Sequence, residues 1–222
     1  TVAFTGQTGG GGGTPGGSDT YVQFNDGGSF GGESRMTYTK AGSGILMVNG
    51  TIIASPVDAA RVAVVSIGSG AHCFRDQSVA IGAGATSKGY KGHIIGFNTS
   101  CDYNYCVGLG PEIGFEGDQS TAMGYGPMVG EYGVAIGSTA RARATRAIAV
   151  GFFAYANGTN SVAVGANTTC ENSDSIMVGY STQSVDHYST AIGTNSSAGS
   201  YSIGFGVDSN ADAANSIAIG YQ

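Results

Sequence analysis

The chain has 222 residues, with 9 basic and 15 acidic side chains and a formal net charge of −6. A pI of about 4.8 excludes the basic face that nucleic-acid binding requires, so we expect no nucleic-acid partner. No run of about 20 apolar residues occurs, so we expect no membrane insertion.

The N-terminal residues 1–60 divide into two predicted segments. Residues 1–19 contain the stretch GQTGGGGGTPGG, which predicts a Gly-rich linker or extended segment. Residues 20–60 predict an N-terminal β region of short strands, broken by turns at Asp26-Gly27-Gly28 and Asn49-Gly50. The sequence begins at Thr1 rather than Met, and we expect a fragment or a processed product.

The remaining residues, 61–222, carry a short repeated motif. SVAIG at residues 78–82 returns as SVAVG at 161–165 and STAIG at 189–193. Of the eleven steps between the closing glycines, eight are 14 residues, and the final two are 11 and 16. This spacing predicts an array of stacked units. The structural repeat glycines are assigned as Gly68, Gly82, Gly96, Gly110, Gly124, Gly137, Gly151, Gly165, Gly179, Gly193, Gly204 and Gly220.

Alternation within each unit indicates two strands. Large residues, mostly apolar, stand one and three positions before the glycine, and the residue between them is usually small. Small residues also stand three and five positions after the glycine, with a mixed, mostly polar residue between them. Each unit therefore predicts strand, turn, strand, turn, which is one coil of a narrow parallel β-solenoid of about twelve coils, roughly 55–60 Å long.

A 14-residue coil is too thin to bury much apolar surface alone. We expect the large residues to pack inside the coil and the small residues of the first strand, such as Ala80, Ala135 and Ala163, to be covered by other copies of the chain. The sequence therefore predicts a homo-oligomer, most simply three-fold, with the first strand inside and the second outside.

The unit SVAIG-x-x-A-x-A resembles the YadA-like head repeats of trimeric autotransporter adhesins, over residues 64–220. The resemblance implies an all-β, left-handed parallel β-roll that is trimeric along its axis. Departures from the pattern are Gly110-Pro111, Gly126-Pro127 and the steps of 13, 11 and 16 residues.

Residues 16–52 resemble a segment common in phage tail-fibre proteins. The matching residues are Gln23, Phe24, Asn25, Asp26, Gly27, Gly28, Phe30, Gly31 and Gly32. This resemblance implies a virus particle, and the end at Gln222 would suit removal of a C-terminal chaperone domain.

The candidate chemistry is sparse. Cys73, Cys101, Cys106 and Cys170 are interpreted as small apolar packing residues, since no C-x-x-C motif occurs. His93 takes an inward position and would need a partner. No metal site, cofactor site or catalytic constellation is predicted, so we expect a protein that is not an enzyme.

Exposed aromatic and basic residues are the candidate surface contacts for a host glycan or protein. They are Tyr90, Tyr103, Tyr105, Tyr125, Tyr132, Tyr155, Tyr180, Arg141 and Arg143. For the arginines, together with Arg146, an interchain ion pair with an acid is the favoured alternative to binding of a phosphate or an acidic sugar.

These observations predict a structural and adhesive fibre of a phage particle, tail or head, on the virion surface. Its partners would be itself as a homotrimer, other virion proteins and a host surface glycan or protein, bound through many weak contacts. The alternative is the head domain of a bacterial trimeric autotransporter adhesin at the cell surface. A glycan depolymerase is a third hypothesis, disfavoured because so narrow a coil has no room for a groove.

Overall fold

A computed structural model describes residues 21–26, 29–39, 45–48, 51–52 and 64–221. The first four ranges form an antiparallel sheet of strands in sequence order: β1 (Tyr21–Asp26), β2 (Ser29–Thr39), β3 (Ile45–Val48) and β4 (Thr51–Ile52). Asp26 pairs with Ser29 and Val48 with Thr51, and the glycines of the predicted turns between them lie outside the described residues. The predicted linker, residues 1–19, lies outside the described residues.

Residues 64–221 form a parallel β-solenoid, which confirms the predicted all-β class. Twelve three-residue strands build one sheet, called sheet I. They are β5 (Val65–Ile67), β7 (Val79–Ile81), β9 (His93–Ile95), β11 (Val107–Leu109), β13 (Thr121–Met123), β15 (Val134–Ile136), β17 (Ile148–Val150), β19 (Val162–Val164), β21 (Ile176–Val178), β23 (Thr190–Ile192), β25 (Ile203–Phe205) and β27 (Ile217–Ile219). The left-handed winding and the trimer stay predictions.

Eleven two-residue strands build the opposing sheet, called sheet II. They are β6 (His72–Cys73), β8 (Thr86–Ser87), β10 (Ser100–Cys101), β12 (Gly114–Phe115), β14 (Met128–Val129), β16 (Arg141–Ala142), β18 (Tyr155–Ala156), β20 (Thr169–Cys170), β22 (Gln183–Ser184), β24 (Ser197–Ala198) and β26 (Asn210–Ala211). Each coil crosses from sheet I to sheet II through a turn called turn A, and returns through a turn called turn B. No helix occurs among the described residues.

The interior between the sheets is filled by small side chains. Ala80, Ala135 and Ala163 in sheet I are fully buried within the single chain, and so are Ala142 and Ala156 in sheet II. Several buried hydroxyls donate to backbone carbonyls of the next coil, as when the Thr168 hydroxyl donates to the Gly179 carbonyl at 2.6 Å, whereas those of Ser66, Ser161 and Ser196 have no hydrogen-bond partner. Two sheets joined by tight turns lie too close for opposed Val or Ile side chains, so small residues line the inside.

One of the larger interior residues lies beside a glycine. Ile94 is the largest fully buried side chain, and it lies next to Gly108 in the adjacent strand. A Cβ at Gly108 would lie 2.9 Å from Phe115 Cζ and 3.1 Å from Ile94 Cδ1. The three residues therefore share one interior space.

We expect Gly108→Ala to lower the free energy of unfolding by about 1–3 kcal/mol, because the added methyl overfills this space. Adding Phe115→Leu should restore part of the loss, since the phenyl ring is the nearest neighbour of the new methyl. Urea denaturation of both variants measures the effect. An equal loss in the two variants would contradict this packing account.

The repeat glycines stack directly above one another at the start of turn A. Gly82 and Gly151 illustrate the contact, since an added Cβ would lie 2.1 Å and 2.2 Å from the carbonyl oxygen of the next glycine in the stack. Their φ values of 126° and 140° also favour glycine. Sequential coils thus approach more closely here than any side chain permits.

The assignment of Gly204 to this stack was wrong, and Gly206 takes that position. Gly204 lies inside β25, paired with Ala191 and Ala218, so it belongs to the small interior column. Gly206 has φ 129° and lies between Gly193 and Gly220 in the stack. The steps predicted as 11 and 16 residues are therefore 13 and 14, because Ile203 and Phe205 are the outward pair of this coil.

Both 13-residue coils are shortened in turn B. Every turn A and every turn B holds one residue with φ between 50° and 70°, and successive residues of this kind are seven positions apart. The exceptions are the steps from Gly126 to Tyr132 and from Asn195 to Tyr201, which are six positions. In those two turns glycine directly follows the strand of sheet II, and a Cβ would meet the next coil's backbone at 2.1 Å for Gly130 and 2.3 Å for Gly199. At both positions only glycine fits.

Candidate interaction surfaces

The outward side of sheet I is an exposed apolar surface, here called the apolar face. Exposed fractions include 43% for Ile95, 45% for Leu109 and 43% for Ile176. The apolar face consists of Val65, Ile67, Val79, Ile81, His93, Ile95, Val107, Leu109, Thr121, Met123, Val134, Ile136, Ile148, Val150, Val162, Val164, Ile176, Val178, Thr190, Ile192, Ile203, Phe205, Ile217 and Ile219. Monomeric proteins rarely expose a continuous apolar patch of more than a few hundred Å², so a face that runs along every strand of sheet I is suited to association.

The predicted orientation of sheet I was therefore wrong. The large residues were expected inside and the small residues against other copies of the chain. Ala80, Ala135 and Ala163 are instead inside and fully buried without any partner. The small distance between the two sheets decides which side of sheet I faces inward. The side that another copy would cover is therefore the outward side with Val and Ile.

His93 shares this correction, since it lies on the apolar face and is exposed rather than inward. With Thr121 and Thr190, it is one of the polar residues among the outward positions of sheet I.

The structure separates the predicted tyrosine contacts into three places. Tyr125 and Tyr180 lie at turn A, each directly after a repeat glycine, and Tyr155 lies on the outward side of sheet II. The neighbouring Glu112 carboxylate raises the pKa of Tyr125. The others lie in turn B, namely Tyr90, Tyr103, Tyr105 and Tyr132, all exposed.

Sequence reasoning missed further exposed aromatics at the same turns. At turn A, Phe97 and Phe152 hold the same coil position as Tyr125 and Tyr180. At turn B, Tyr188 and Tyr201 stack with ring centroids 4.9 Å apart and an angle of 11° between planes. Their position relative to the repeat glycine is the sequence signal that places them in exposed turns.

The arginines engage neighbours within the chain. Arg143 Nη2 lies 3.0 Å from Glu116 Oε1, reaching across Gly130 to the second coil away, and this pairing raises the pKa of Arg143. The Arg141 guanidinium lies 5.2 Å from the centroid of the Tyr155 ring. The interchain pair expected for Arg143 is thus replaced by an intrachain pair, because the side chain of Gly130 is absent between them.

A cleft of about 440 Å³ lies at turn B near the C-terminal coils, and its polar side chains are occupied by turn contacts. Asp174 Oδ1 accepts from Asn160 Nδ2 at 2.8 Å, and His187 Nδ1 accepts from the Ser173 amide at 3.1 Å. Asp186 Oδ1 accepts from the His187 amide at 2.7 Å. These groups therefore order the turns. Lining residues are Ser173, Asp174, Asp186, His187, Tyr188, Ser200 and Tyr201.

The cysteine interpretation needs one correction. Cys101 and Cys106 form a disulfide within one coil, with their Cα atoms 6.6 Å apart, whereas both were interpreted as packing residues. Cys101 ends a strand of sheet II, and Cys106 directly precedes the next strand of sheet I, five residues later across turn B. Cys170 and Ser175 hold the same two positions in another coil. Cys73 and Cys170 are buried.

We expect iodoacetamide to leave Cys101, Cys106 and Cys170 unmodified in the folded protein. The disulfide blocks the first two, and burial raises the pKa of the Cys170 thiol. Unfolding without reductant should expose Cys170 alone among these three, and reduction should add the other two. Peptide mass mapping follows each step, and labelling of Cys101 before reduction would contradict the pairing.

Two further properties concern the described part of the chain. It contains no helix that is long and apolar enough to cross a membrane. Within residues 64–221, no three His, Cys, Asp or Glu side chains converge to hold a metal ion.

The fold and its surfaces define a repeat protein, namely a parallel β-solenoid with a continuous apolar side. The sequence profile of the YadA head domain repeat (2 copies) matches residues 65–89, 129–154, 142–168, 173–196 and 197–222, which together span just over half of the chain. The protein belongs to the family of YadA head domain repeats.

The chain is similar to the collagen-binding domain of the Yersinia adhesin YadA, at 26% sequence identity and a TM-score of 0.25, over 73% of this chain and 70% of that one. No curated protein matches the chain.

Proposed function

We propose that this chain is the adhesive head of a trimeric bacterial surface protein. The observation that carries the proposal is the family membership, together with the apolar face that one chain leaves exposed. Covering each half-exposed side chain of this face contributes roughly 1 kcal/mol. Three copies arranged around one axis would bury it and leave sheet II and parts of both turns outward.

In this proposal the protein acts by presentation and not by catalysis. The repeated coils give a stiff rod that displays the same surface three times, so weak contacts with a host surface add through avidity. The site is therefore distributed along the rod. The candidate contacts are the exposed side chains of the turns and of sheet II, including Tyr90, Tyr103, Tyr105, Tyr125 and Tyr180.

The experiment compares attachment of beads coated with the assembled protein and beads coated with an association-deficient variant. The surfaces are cultured epithelial cells and fibrillar collagen, the ligand named for the solved Yersinia domain. We expect assembled protein to retain beads on at least one surface under flow. Equal retention by bare beads would overturn the adhesive function.

A phage fibre is the second candidate, and the QFNDGG-x-FGG stretch at residues 23–32 favours it. The two settings differ in where the protein is found. Gold-labelled antibody against residues 64–221 should decorate the surface of producing cells if the chain is an adhesin head. Decoration of virus particles alone would replace the bacterial setting and leave the adhesive role intact.

A further inference from the structure

Exposed aromatic side chains recur at the turn A position directly after the repeat glycine, and Tyr221 holds it in the last coil. The other four lie on successive alternate coils and are here called the aromatic rank. They are Phe97, Tyr125, Phe152 and Tyr180, with exposed fractions of 60%, 55%, 53% and 53%. They occupy alternate coils. The coils between them have small or compact, half-buried residues at this position, namely Pro111, Ser138 and Ala166.

The spacing of the rank follows from the solenoid. Adjacent strands of a sheet lie about 4.8 Å apart, so rings on alternate coils repeat at about 9.6 Å along the axis. The same step separates Phe97 from Tyr125, Tyr125 from Phe152, and Phe152 from Tyr180. The rank is therefore a ladder of rings with a regular period along the solenoid.

In several coils the residue that follows the rank position is polar, whereas Gly126 and Phe153 hold this place beside Tyr125 and Phe152. Asn98, Glu112 and Asn167 are exposed there, with φ values of 50°, 57° and 54°. The neighbouring Glu112 carboxylate raises the pKa of Tyr125, so this residue of the polar row interacts with one ring of the rank. Phe152 contacts Phe153 edge to face at 4.4 Å, so a second ring is supported from the side. The aromatic rank and the polar residues beside it therefore form an apolar strip next to a row of hydrogen-bonding groups.

We infer that the aromatic rank binds an extended β-1,4-linked polysaccharide lying along the rod. A pyranose ring has an apolar C–H face, which packs on an aromatic side chain, and a rim of hydroxyls, which bonds to amides and carboxylates. In a β-1,4-linked chain, neighbouring rings are flipped, so the same face recurs once per disaccharide. That repeat matches the two-coil spacing of the rank, and Asn98, Glu112 and Asn167 supply partners for the hydroxyls.

This inference deepens the proposed adhesive function and rests on it, since it names the ligand class of the outward surface. A helical α-linked glycan does not hold its rings in a straight line and does not fit the ladder. A chain of seven sugars would reach all four rings of the rank, so affinity should grow with oligomer length.

The test titrates the full chain with cello-oligosaccharides and chito-oligosaccharides of two, four and six sugars, with maltohexaose as the α-linked control. The two β-linked series separate glucose from N-acetylglucosamine as the preferred unit. We expect each added disaccharide to strengthen binding about fivefold, and Phe97→Ala/Tyr125→Ala/Phe152→Ala/Tyr180→Ala to weaken hexasaccharide binding about a hundredfold. Isothermal titration calorimetry measures both.

A spacing control keeps the number of rings constant. Phe152→Ala/Ala166→Phe moves one ring to the adjacent coil, so the period is broken while composition is nearly preserved. This variant should bind the hexasaccharide about as weakly as Phe152→Ala alone. Tyr188→Ala/Tyr201→Ala, at turn B, should bind like the unaltered chain.

Three results would overturn the inference. They are absence of binding to both β-linked hexasaccharides, full binding by the spacing control, and loss of association by the four-fold variant, which would assign the rank to an interface between copies. Bead attachment to cells is scored separately. Attachment that survives in the four-fold variant while glycan binding is absent would reject this ligand and leave the adhesive function standing.

Discussion

Leu109→Asp/Ile148→Asp should abolish self-association, and the unaltered chain should have about three times its monomer mass of 22.1 kDa. Both side chains point outward from sheet I and are 45% and 37% exposed, so a single chain gives each new carboxylate access to water. In an assembly the carboxylates would be buried against apolar neighbours, at a cost of several kcal/mol each. Multi-angle light scattering across micromolar concentrations measures the mass.

The matched control places the same charges on the other sheet. Thr169→Asp/Gln183→Asp alters outward positions of adjacent strands in sheet II, β20 and β22. This variant should keep the mass of the unaltered chain. Two results would contradict burial of the apolar face. They are a mass of one chain for the unaltered protein, and equal loss of association in the two variants.

Gly151→Ala should lower the free energy of unfolding by about 4 kcal/mol or more, the range of the most damaging single substitutions. The added Cβ would lie 2.2 Å from the Gly165 carbonyl oxygen, and φ at this residue is 140°. Relief requires moving the backbone of the next coil, because the clashing atom is not on a side chain. The midpoint of urea unfolding, at one fixed protein concentration, reports the loss.

Gly126→Ala is the matched control for that substitution. Gly126 also has positive φ, at 60°, but an added Cβ meets nothing within 4 Å. Its cost should be about 1 kcal/mol, the usual penalty of left-handed backbone. Gly126→Asn should cost less, since Asn98 and Asn167 adopt this conformation at the equivalent turn position. Equal losses for Gly151→Ala and Gly126→Ala would mean that stacking distance is unimportant.

The period and the alternation of the sequence were enough to predict the solenoid, its two strands per coil and the inward small residues of sheet II. They could not orient sheet I. Both of its sides are apolar, so Ala135 and its outward neighbours Val134 and Ile136 satisfy the pattern in either direction. Only the distance between the sheets, which is a property of the folded coil, favours small residues inside, and Ile94 and Met177 are the larger side chains that sheet I buries.

Two other errors have local causes. Ile203-Gly204 imitates the apolar-glycine ending of a unit, and the true ending at Phe205-Gly206 becomes evident only when strand pairing fixes Gly204 opposite Ala191. The Cys101–Cys106 disulfide joins two columns that sequence analysis treated separately. Their contact depends on turn B folding the second strand back across the interior, so the sequence interval of five residues was not informative alone.

Each coil of the solenoid touches chiefly the coil before it and the coil after it, through equivalent atoms at equivalent positions. Gain or loss of one whole unit would therefore leave the remaining joints unchanged, and the rod can lengthen or shorten in evolution by duplication or deletion of about 14 codons. The length of the solenoid is thus adjustable in increments of one strand spacing, about 4.8 Å, without redesign of any other part.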